Sequence, residues 1–326
     1  MNDAVQVIVP RQVPLGGPRS MTVRRTLPAR ERSFVGAWCF VDHYGPDDVS
    51  ATGGMDVAPH PHCGLATVSW LFSGEVEHRD SLGTVAVVRP GEVNLMTAGR
   101  GISHSEVSTP STTVLHGAQL WVVLPTEVAD VAPRFEHHVP EVVEVSEGVR
   151  AQVFVGALFG SVSRVRVETP MVGAEVVLEG GASVLLPVPD GFEVAVLVDT
   201  GSVTMGDTGL VRGELGVVGA ARHPGGVSVT AGADGARALV LGGEPFGEEV
   251  VMWWNFIGRS NDDVVAAREA WEARNGRFGS VRGYEGEVDR IPAPALPGVR
   301  LKPRGNREPR HGSSGFSGGA EAPALS

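Results

Sequence analysis

The chain has 326 residues, of which 42% are hydrophobic, and this length predicts two domains. Its formal charge of −11 is concentrated in the middle, because residues 1–33 carry +4 and residues 298–326 carry +3; such an acidic body disfavours direct contact with nucleic-acid phosphates. No apolar stretch approaches the roughly 18 residues of a membrane helix, and the first residues lack a signal-peptide pattern, so we expect a cytoplasmic protein without membrane association.

Short apolar runs separated by Gly, Pro, Asp and Ser predict that most of the chain forms β-strands. In the first half, strands are expected near 65–72, 75–80, 84–89, 93–97, 102–107 and 115–124. In the second half they are expected at Val165–Val167, Glu175–Leu178, Val194–Val198, Leu215–Val218, Val227–Thr230 and Ala238–Leu241. Many short strands at even spacing indicate a sandwich or barrel, and two such sets indicate a duplicated β domain.

One helix is predicted near residues 261–274. Ser260 is a candidate N-cap, and acidic residues follow it in the first turn, where the helix dipole favours them. Val264 and Trp271 fall on one face of this helix and are expected to dock onto the β core. Beyond about residue 298 the chain is rich in Arg, Pro, Gly and Ser, which predicts a disordered basic tail.

The most informative pattern in the chain pairs His60 with His62 and His104 with Glu106, each two residues apart. In a β-strand, side chains two residues apart point to the same face of the sheet. Two neighbouring strands would therefore direct three imidazoles and one carboxylate at a common point. We predict a metal site with three nitrogen ligands and one oxygen ligand.

Neutral imidazoles with one carboxylate suit one borderline divalent ion, such as iron, manganese, copper, nickel or zinc. A closed structural zinc site is disfavoured because no cysteine ligand is expected. Cys39 and Cys63 are interpreted as small buried hydrophobic residues, and strand alternation turns Cys63 away from the face that His62 uses. Four ligands on a six-coordinate metal leave two open positions for a substrate or dioxygen.

Other polar residues near this pattern have weaker functional interpretations. His78 could line the site from a neighbouring strand, but a hydrogen-bonded structural role is expected. Gln119 could reach the cavity or serve the structure alone. Solvated positions are expected for Glu75, Glu77, Asp80, His137 and His138. The second β set contains only His223, so no metal is expected there.

Four sequence motifs in the first half resemble the pirin family: Pro59-His-Pro-His-Cys-Gly64, His78-Arg-Asp-Ser81, Met96-Thr-Ala-Gly-Arg-Gly-Ile102 and His104-Ser-Glu106. The resemblance covers roughly residues 20–297 and implies an all-β bicupin, in which two jelly-roll β-barrel domains pack face to face. It implies a metal-binding cupin over residues 1–140, a metal-free cupin with the helix over 141–297, and a tail over 298–326. It also implies one non-haem iron on the four residues that spacing selected, namely His60, His62, His104 and Glu106.

The resemblance implies two alternative functions. Bacterial pirins resemble quercetin 2,3-dioxygenases, in which a metal, Fe(II) foremost, binds a flavonol through its 3-hydroxyl oxygen and dioxygen cleaves the heterocycle with release of carbon monoxide. Glu106 would assist deprotonation of that hydroxyl. The alternative is a non-enzymatic, iron-dependent regulator that binds protein partners such as transcription factors or metabolic enzymes. An apolar-walled cavity open to solvent beside the metal would favour the enzyme.

Overall fold

The structure is a computed structural model that describes residues 5–15, 21–220 and 226–306. The strands of the first half are β1 (Gln6–Ile8), β2 (Arg11–Leu15), β3 (Met21–Leu27), β4 (Trp38–Asp48), β5 (Asp56–His62), β6 (Leu65–Ser73), β7 (Val76–Asp80), β8 (Val85–Val88), β9 (Val93–Thr97), β10 (Ile102–Ser108), β11 (Val114–Val123) and β12 (Arg134–His138). A short 3-10 turn covers Thr126–Val128.

The strands of the second half are β13 (Val142–Ser146), β14 (Val149–Val155), β15 (Ala157–Leu158), β16 (Ser161–Val162), β17 (Met171–Leu178), β18 (Ser183–Leu186), β19 (Glu193–Met205), β20 (Thr208–Val211), β21 (Leu215–Val218), β22 (Val227–Gly243), β23 (Val251–Trp253) and β24 (Phe256–Gly258). The helix α1 (Asn261–Glu272) follows them.

The first half of the chain forms two antiparallel sheets with a cavity between them. One sheet has seven strands in the order β12-β9-β6-β11-β4-β3-β2, and the other has four in the order β5-β10-β7-β8. In the first sheet, the side chains of β6 alternate between an apolar face and a polar face, although both faces are buried. Its residues Ala66, Val68 and Trp70 enter the large hydrophobic core, whereas Ser69 points the other way, towards Glu106 of the second sheet.

The edge position of β5 explains its unusual sequence. Proline cannot donate a hydrogen bond to a neighbouring strand, so it is tolerated mainly at sheet edges. β5 pairs only with β10 in its sheet, and Pro59 and Pro61 alternate there with His60 and His62. The carbonyl of Pro59 accepts a hydrogen bond from the backbone of Ile291, which covers this edge.

The second half of the chain is built on a nine-stranded antiparallel sheet. Its main path runs β1-β21-β19-β22-β17-β14-β13, with β18 and β20 attached to β22 and β19. β1 comes from the start of the chain and pairs with β21. The two faces of this sheet enter different cores: along β19, Val194 and Val196 lie in the core of the second half alone, and Ala195 and Leu197 lie in the core shared with the first half.

The two β domains pack against each other through that shared core. Trp70 of the first half stacks on Phe154 of the second, with ring centroids 4.7 Å apart. The indole N–H of Trp70 donates to Glu175, and that of Trp38 donates to the carbonyl of Val172. The predicted all-β fold with two packed domains is confirmed, while the predicted boundary at residue 140 stays a prediction.

The predicted helix is confirmed with slightly different bounds. Ser260 accepts a hydrogen bond from the backbone of Asp263, whose side chain accepts one from the backbone of Ser260, so a capping box starts the helix. Val264 and Trp271 are buried and pack on Phe256 in a small core beneath the helix. Among the described residues no helix is long and apolar enough to cross a membrane.

One predicted strand in the second half is absent, and two others are parts of one longer strand. Val165–Val167 is not a strand, although Val165 is buried in the shared core. Val227–Thr230 and Ala238–Leu241 belong to one strand, β22, because β19 pairs with it on both sides of the intervening glycines. Those glycines therefore lie at a register shift and not in a loop between two strands.

The prediction of a tail disordered from residue 298 is wrong for its first nine residues. Arg304 exchanges backbone hydrogen bonds with Val250, and its side chain donates to the carbonyl of Ala29. The amide of Asn306 accepts from the backbone of Phe34 and donates to its carbonyl. These polar contacts anchor a segment that has little apolar surface to bury. Residues 307–326 lie outside the described residues.

Candidate metal centre

Three imidazoles meet beside a cavity of the first domain, and two of them, His60 and His62, line it. His60, His62 and His104 are all buried, and one ring nitrogen of each lies within 4.8 Å of the others. The Nε2 atoms of His62 and His104 are 3.1 Å apart. The structure therefore brings together the three histidines that the alternating pattern selected.

Strand register produces this convergence. β10 pairs antiparallel with β5 so that His104 lies directly opposite His60 and Ile102 opposite His62. Residues paired in this way place their side chains on the same face of the sheet. An irregularity between His104 and Glu106 then shifts the pairing, so that Glu106 lies opposite Val57.

Burial keeps these imidazoles neutral. It lowers the pKa of His60 to about 4, against an opposing contribution from its hydrogen bond to the carbonyl of Ala58. Burial also holds the pKa values of His62 and His104 well below the ordinary value, and neighbouring histidines lower them further. Neutral imidazole is the form that binds a metal, so the ligands need not lose protons at pH 7.

Glu106 lies in the same cavity but outside the tight group of three nitrogens. It is buried, and burial raises the pKa of its carboxyl despite the hydrogen bond that Ser69 donates to it. The Ser69 hydroxyl lies 3.3 Å from Oε1 of Glu106 and 3.0 Å from Oε1 of Gln119. Gln119 also lines the cavity, so the first of its two interpretations is correct. The role of Glu106 as a ligand stays a prediction.

The cavity beside the histidines is about 390 Å³ in volume. Most of its walls are apolar or aromatic, from Leu15, Phe40, Val57, Trp121, Met252, Trp254 and Ile291. Phe40 and Trp121 stack on each other with centroids 4.1 Å apart and an interplanar angle of 12°. Arg25 lies over Phe40 and is held by two hydrogen bonds to Asp42, at 2.6 and 2.7 Å.

Comparison with known proteins places these features in a family. Residues 20–122 match the family model described as Pirin, and residues 173–279 match the Pirin C-terminal cupin domain. The chain belongs to the pirin family. The two β domains are therefore the two cupins of a pirin.

Two curated pirin relatives are similar over most of the chain. A Pseudomonas aeruginosa protein named "Putative quercetin 2,3-dioxygenase" is 42% identical over 294 residues, covering 90% of this chain and 91% of the relative. A pirin-like protein of Caulobacter vibrioides is 37% identical over 259 residues, covering 77% and 88%.

Solved pirin structures agree with this fold. A crystal structure titled quercetin 2,3-dioxygenase from Acinetobacter baumannii superposes with a TM-score of 0.84 at 37% identity, covering 91% of this chain and 97% of that one. A nickel(II) complex of a bacterial pirin from Escherichia coli has a TM-score of 0.58 at 22% identity, covering 74% and 100%, and shows the shared fold.

The three imidazoles of this pirin fit a bound metal. Two nitrogens that each lie about 2.1 Å from one ion at a right angle are about 3 Å apart, which is close to the 3.1 Å between His62 and His104. His60 Nδ1 lies 2.9 Å from the carbonyl oxygen of Ala58. Only an N–H can satisfy that oxygen, so Nε2 of His60 keeps its lone pair for a metal.

Several expectations for the neighbouring polar residues need correction. Asp80 was expected in solvent, but it is buried because it closes a turn and contacts His78. His137 and His138 lie on strand β12 and not on a connection, although His137 is exposed as expected. Glu75 and Glu77 are only partly exposed, since each pairs with an arginine.

The predictions that both cysteines are buried and that His78 is hydrogen-bonded are confirmed. Cys39 and Cys63 are buried and free, and burial raises the pKa of Cys63 to about 12. Cys63 packs in the small core beneath the helix and is not part of the cavity wall. His78 is buried and hydrogen-bonded. His223 lies outside the described residues.

A second group of metal-type ligands lies between the two domains, and sequence reasoning missed it. His43, His116 and Asp199 place their donor atoms within 4.8 Å of one another. Both Nε2 atoms contact the same oxygen of Asp199, at 2.7 and 2.5 Å. Asp199 is more than 80 positions from either histidine, so no local spacing could reveal the group.

The charges around this interdomain group argue against a cation. Arg237 donates to Asp199 at 2.6 Å, Arg212 donates to its backbone carbonyl at 3.0 Å, and Arg24 donates to Nδ1 of His43 at 3.2 Å. Since Arg24 occupies the Nδ1 lone pair, neutral His43 carries its proton on Nε2 and donates it to Asp199. Three guanidinium groups therefore surround a single carboxylate, only Arg237 contacting its side chain, and their positive charges would repel a divalent ion. We interpret this group as a polar latch between the domains, here called the interdomain latch.

The neutral histidines of the metal centre predict an acid-sensitive metal-free protein. Their folded pKa values lie below the unfolded value of about 6.5, so the unfolded chain binds protons first and stability falls as pH falls. This contribution is complete above about pH 6.5 and is lost between there and about pH 4, where His60 titrates. Glu106 acts with the opposite sign because its folded pKa is raised.

Urea unfolding of chelator-treated protein at half-unit steps from pH 7.5 to 4.5 measures this loss. His60 alone should account for on the order of 3 kcal/mol. The His60→Gln variant has one buried imidazole fewer and should show a shallower decline. A decline in His60→Gln as steep as that of the wild type would show that the His60 imidazole is not held neutral by the fold, whatever the opposing contribution of Glu106.

Proposed function

We propose that this pirin is a metal-dependent dioxygenase that cleaves flavonols such as quercetin. The observation that supports this most strongly is the juxtaposition of the three-histidine group with an apolar, aromatic-walled cavity of about 390 Å³. Ligand pockets for small aromatic molecules have volumes of this order and few, well-placed polar groups. The names of the Pseudomonas and Acinetobacter relatives support the same substrate class.

A divalent ion, with Fe(II) foremost and manganese, copper, nickel or zinc as alternatives, would be held by His60, His62 and His104 with Glu106. Such an ion supplies Lewis acidity, which lowers the pKa of a coordinated hydroxyl. Metal binding and metal identity at these residues are part of the proposal. The reaction balances as flavonol plus dioxygen to the ring-opened ester plus carbon monoxide.

The residues of the chain supply binding and proton transfer. The stacked pair of Phe40 and Trp121 gives the flat ring system of a flavonol an aromatic wall. Glu106, whose pKa burial raises, is a suitable acceptor for the 3-hydroxyl proton. Arg25 uses two of its five N–H groups on Asp42, so it can donate others to a phenolic oxygen at the cavity wall.

Oxygen consumption and carbon monoxide release test this function together. Protein loaded anaerobically with one equivalent of Fe(II) is mixed with quercetin and then exposed to air, and we expect one carbon monoxide per dioxygen consumed. The Glu106→Gln variant should turn over at least about 100-fold more slowly. Its metal content is measured in parallel, because loss of a ligand and loss of a base would otherwise look alike.

No oxygen consumption by fully loaded wild-type protein with quercetin or related 3-hydroxyflavones would refute the proposed reaction. A cytosolic location is part of the proposal, and the two free cysteines are consistent with a reducing compartment. Binding of protein partners by an iron-dependent regulator stays a prediction.

A further inference from the structure

A chain of hydrogen bonds leads from the metal centre to a buried carboxylate. His104 Nδ1 lies 3.2 Å from Nδ1 of His78, and Nε2 of His78 lies 3.2 Å from Oδ2 of Asp80. All three side chains are buried. Neither His78 nor Asp80 belongs to the group of converging ligand nitrogens.

The turn after β7 determines the direction of these hydrogen bonds. Oδ1 of Asp80 accepts backbone N–H bonds from Leu82 and Thr84, at 2.9 and 3.0 Å. These bonds fix the orientation of the carboxylate and leave Oδ2 facing His78. Burial opposes the charge on Asp80, but hydrogen bonds from His78 and Thr84 outweigh it and lower the pKa of the carboxyl. An ionised carboxylate only accepts, so Nε2 of His78 must be the donor.

The proton positions on both rings then follow in sequence. A neutral His78 that carries its proton on Nε2 has a lone pair on Nδ1 and accepts there. The facing Nδ1 of His104 must therefore carry a proton and donate it. Neutral His104 then has its lone pair on Nε2, the atom 3.1 Å from Nε2 of His62.

We propose that Asp80 and His78 are positioning residues that hold His104 in the tautomer whose Nε2 lone pair faces the metal. This inference rests on the metal site of the proposed function and assigns a role to a strand that provides no ligand. Outer-shell hydrogen bonds of this kind orient a ligating ring and raise its basicity.

The hydrogen-bonded chain from Asp80 through His78 to His104, here called the relay, is held in place by the sheet. β7 pairs with β10 so that Asp80 lies opposite His104 and His78 opposite Glu106. Phe135 stacks on the ring of His78 with centroids 4.6 Å apart and an interplanar angle of 27°, which restrains the plane of the ring. At His60 the backbone carbonyl of Ala58 accepts from Nδ1 and so fixes the tautomer of that ring. The relay thus gives Nδ1 of His104 a side-chain acceptor, whereas Nδ1 of His60 has a backbone acceptor.

The Asp80→Asn substitution reverses the relay and tests the proposal. The turn N–H groups of Leu82 and Thr84 keep the Asn oxygen on their side, so the amide N–H₂ faces His78. A donor there forces His78 to accept at Nε2 and donate from Nδ1, and His104 then carries its proton on Nε2. Glu77→Gln removes the same charge from the same strand without touching the relay and is the matched control.

Two readouts follow these changes. In metal-free protein, long-range ¹H–¹⁵N NMR of the imidazoles should show His104 protonated on Nδ1 in wild type and Glu77→Gln, and on Nε2 in Asp80→Asn. Competition with a chromophoric chelator for Zn²⁺ should show Asp80→Asn binding roughly 10- to 100-fold more weakly, and Glu77→Gln unchanged.

Two further variants keep the test decisive if Asp80→Asn does not fold. His78→Leu removes the relay and should weaken Zn²⁺ binding about tenfold. His78→Gln can accept from His104 and donate to Asp80, so it should restore binding towards wild type.

An Nδ1–H tautomer of His104 in Asp80→Asn, or equal Zn²⁺ affinity in His78→Leu and His78→Gln, would overturn the proposal. Absence of flavonol cleavage would refute the proposed function alone, because neither readout uses turnover.

Discussion

The His62→Ala variant is expected to lose its bound metal and, with it, flavonol turnover. His62 contributes one of three converging nitrogens, and its Nε2 is 3.1 Å from that of His104. Removal of an outer-shell partner typically weakens metal binding 10- to 100-fold, so loss of a direct ligand should weaken it by roughly 100-fold or more. Metal content after dialysis and chelator competition measure the effect.

His137→Ala is the matched control for this variant. His137 is an exposed histidine on β12 whose Nδ1–H donates a hydrogen bond to Oδ1 of Asn94. Its removal shows whether the loss of any histidine lowers the metal content. His62 already borders the cavity, and its truncation enlarges existing space, so the metal-free variant should remain folded. Full metal content in His62→Ala would mean that the ion binds elsewhere.

Substitution of Asp199 by Asn is expected to destabilise the protein by about 3 kcal/mol without reducing its metal content. The carboxylate is fully buried and is contacted by His43, His116 and Arg237. Burial alone would raise its pKa, but the hydrogen bonds from His116 and His43 and the charge of Arg237 hold it far below the ordinary value. Removal of one partner of a buried pair typically costs 3–5 kcal/mol; Arg237 is about a quarter exposed, which favours the lower end.

Urea unfolding of Asp199→Asn beside Asp190→Asn separates the interdomain latch from the general effect of losing an acidic residue. Asp190 lies in the same domain and is exposed, so its substitution should change stability by less than about 0.5 kcal/mol. If Asp199→Asn lost bound metal while its stability stayed at the wild-type value, the interdomain group would be a metal site and our interpretation of it would be wrong.

The three imidazoles could be predicted from the sequence because they depend on one local property of the backbone. Side chains two residues apart on a strand share a face, and His60, His62 and His104 needed only that rule and the pairing of two strands. Glu106 shares the face with His104, but the irregularity between them alters its position relative to β5. Spacing alone does not predict such an irregularity.

Contacts between distant parts of the chain could not be predicted in this way. The cavity is closed by Met252, Trp254 and Ile291, about 150 residues or more after the last ligand strand. The burial of Asp80 depends on a turn and on a third strand paired with β10. The interdomain latch combines side chains from both domains, and only the packing of the two sheets brings them together.

The beginning and the end of the chain gave the least sequence signal. β1 has three residues and pairs with β21 of the second domain. Arg304 and Asn306 dock through hydrogen bonds to backbone groups near Phe34. Neither segment has enough apolar residues for a recognisable pattern. At the end of the chain, composition therefore predicted disorder for residues 298–306, which specific polar contacts hold in place.

Anomalous diffraction from crystals of the metal-loaded protein tests most directly whether His60, His62 and His104 bind one metal ion. Data collected on both sides of the absorption edge of the bound metal locate it without reference to activity. We expect one peak, about 2.0–2.2 Å from Nε2 of His60, His62 and His104. A peak between His43, His116 and Asp199, or none at the three imidazoles, would contradict this expectation.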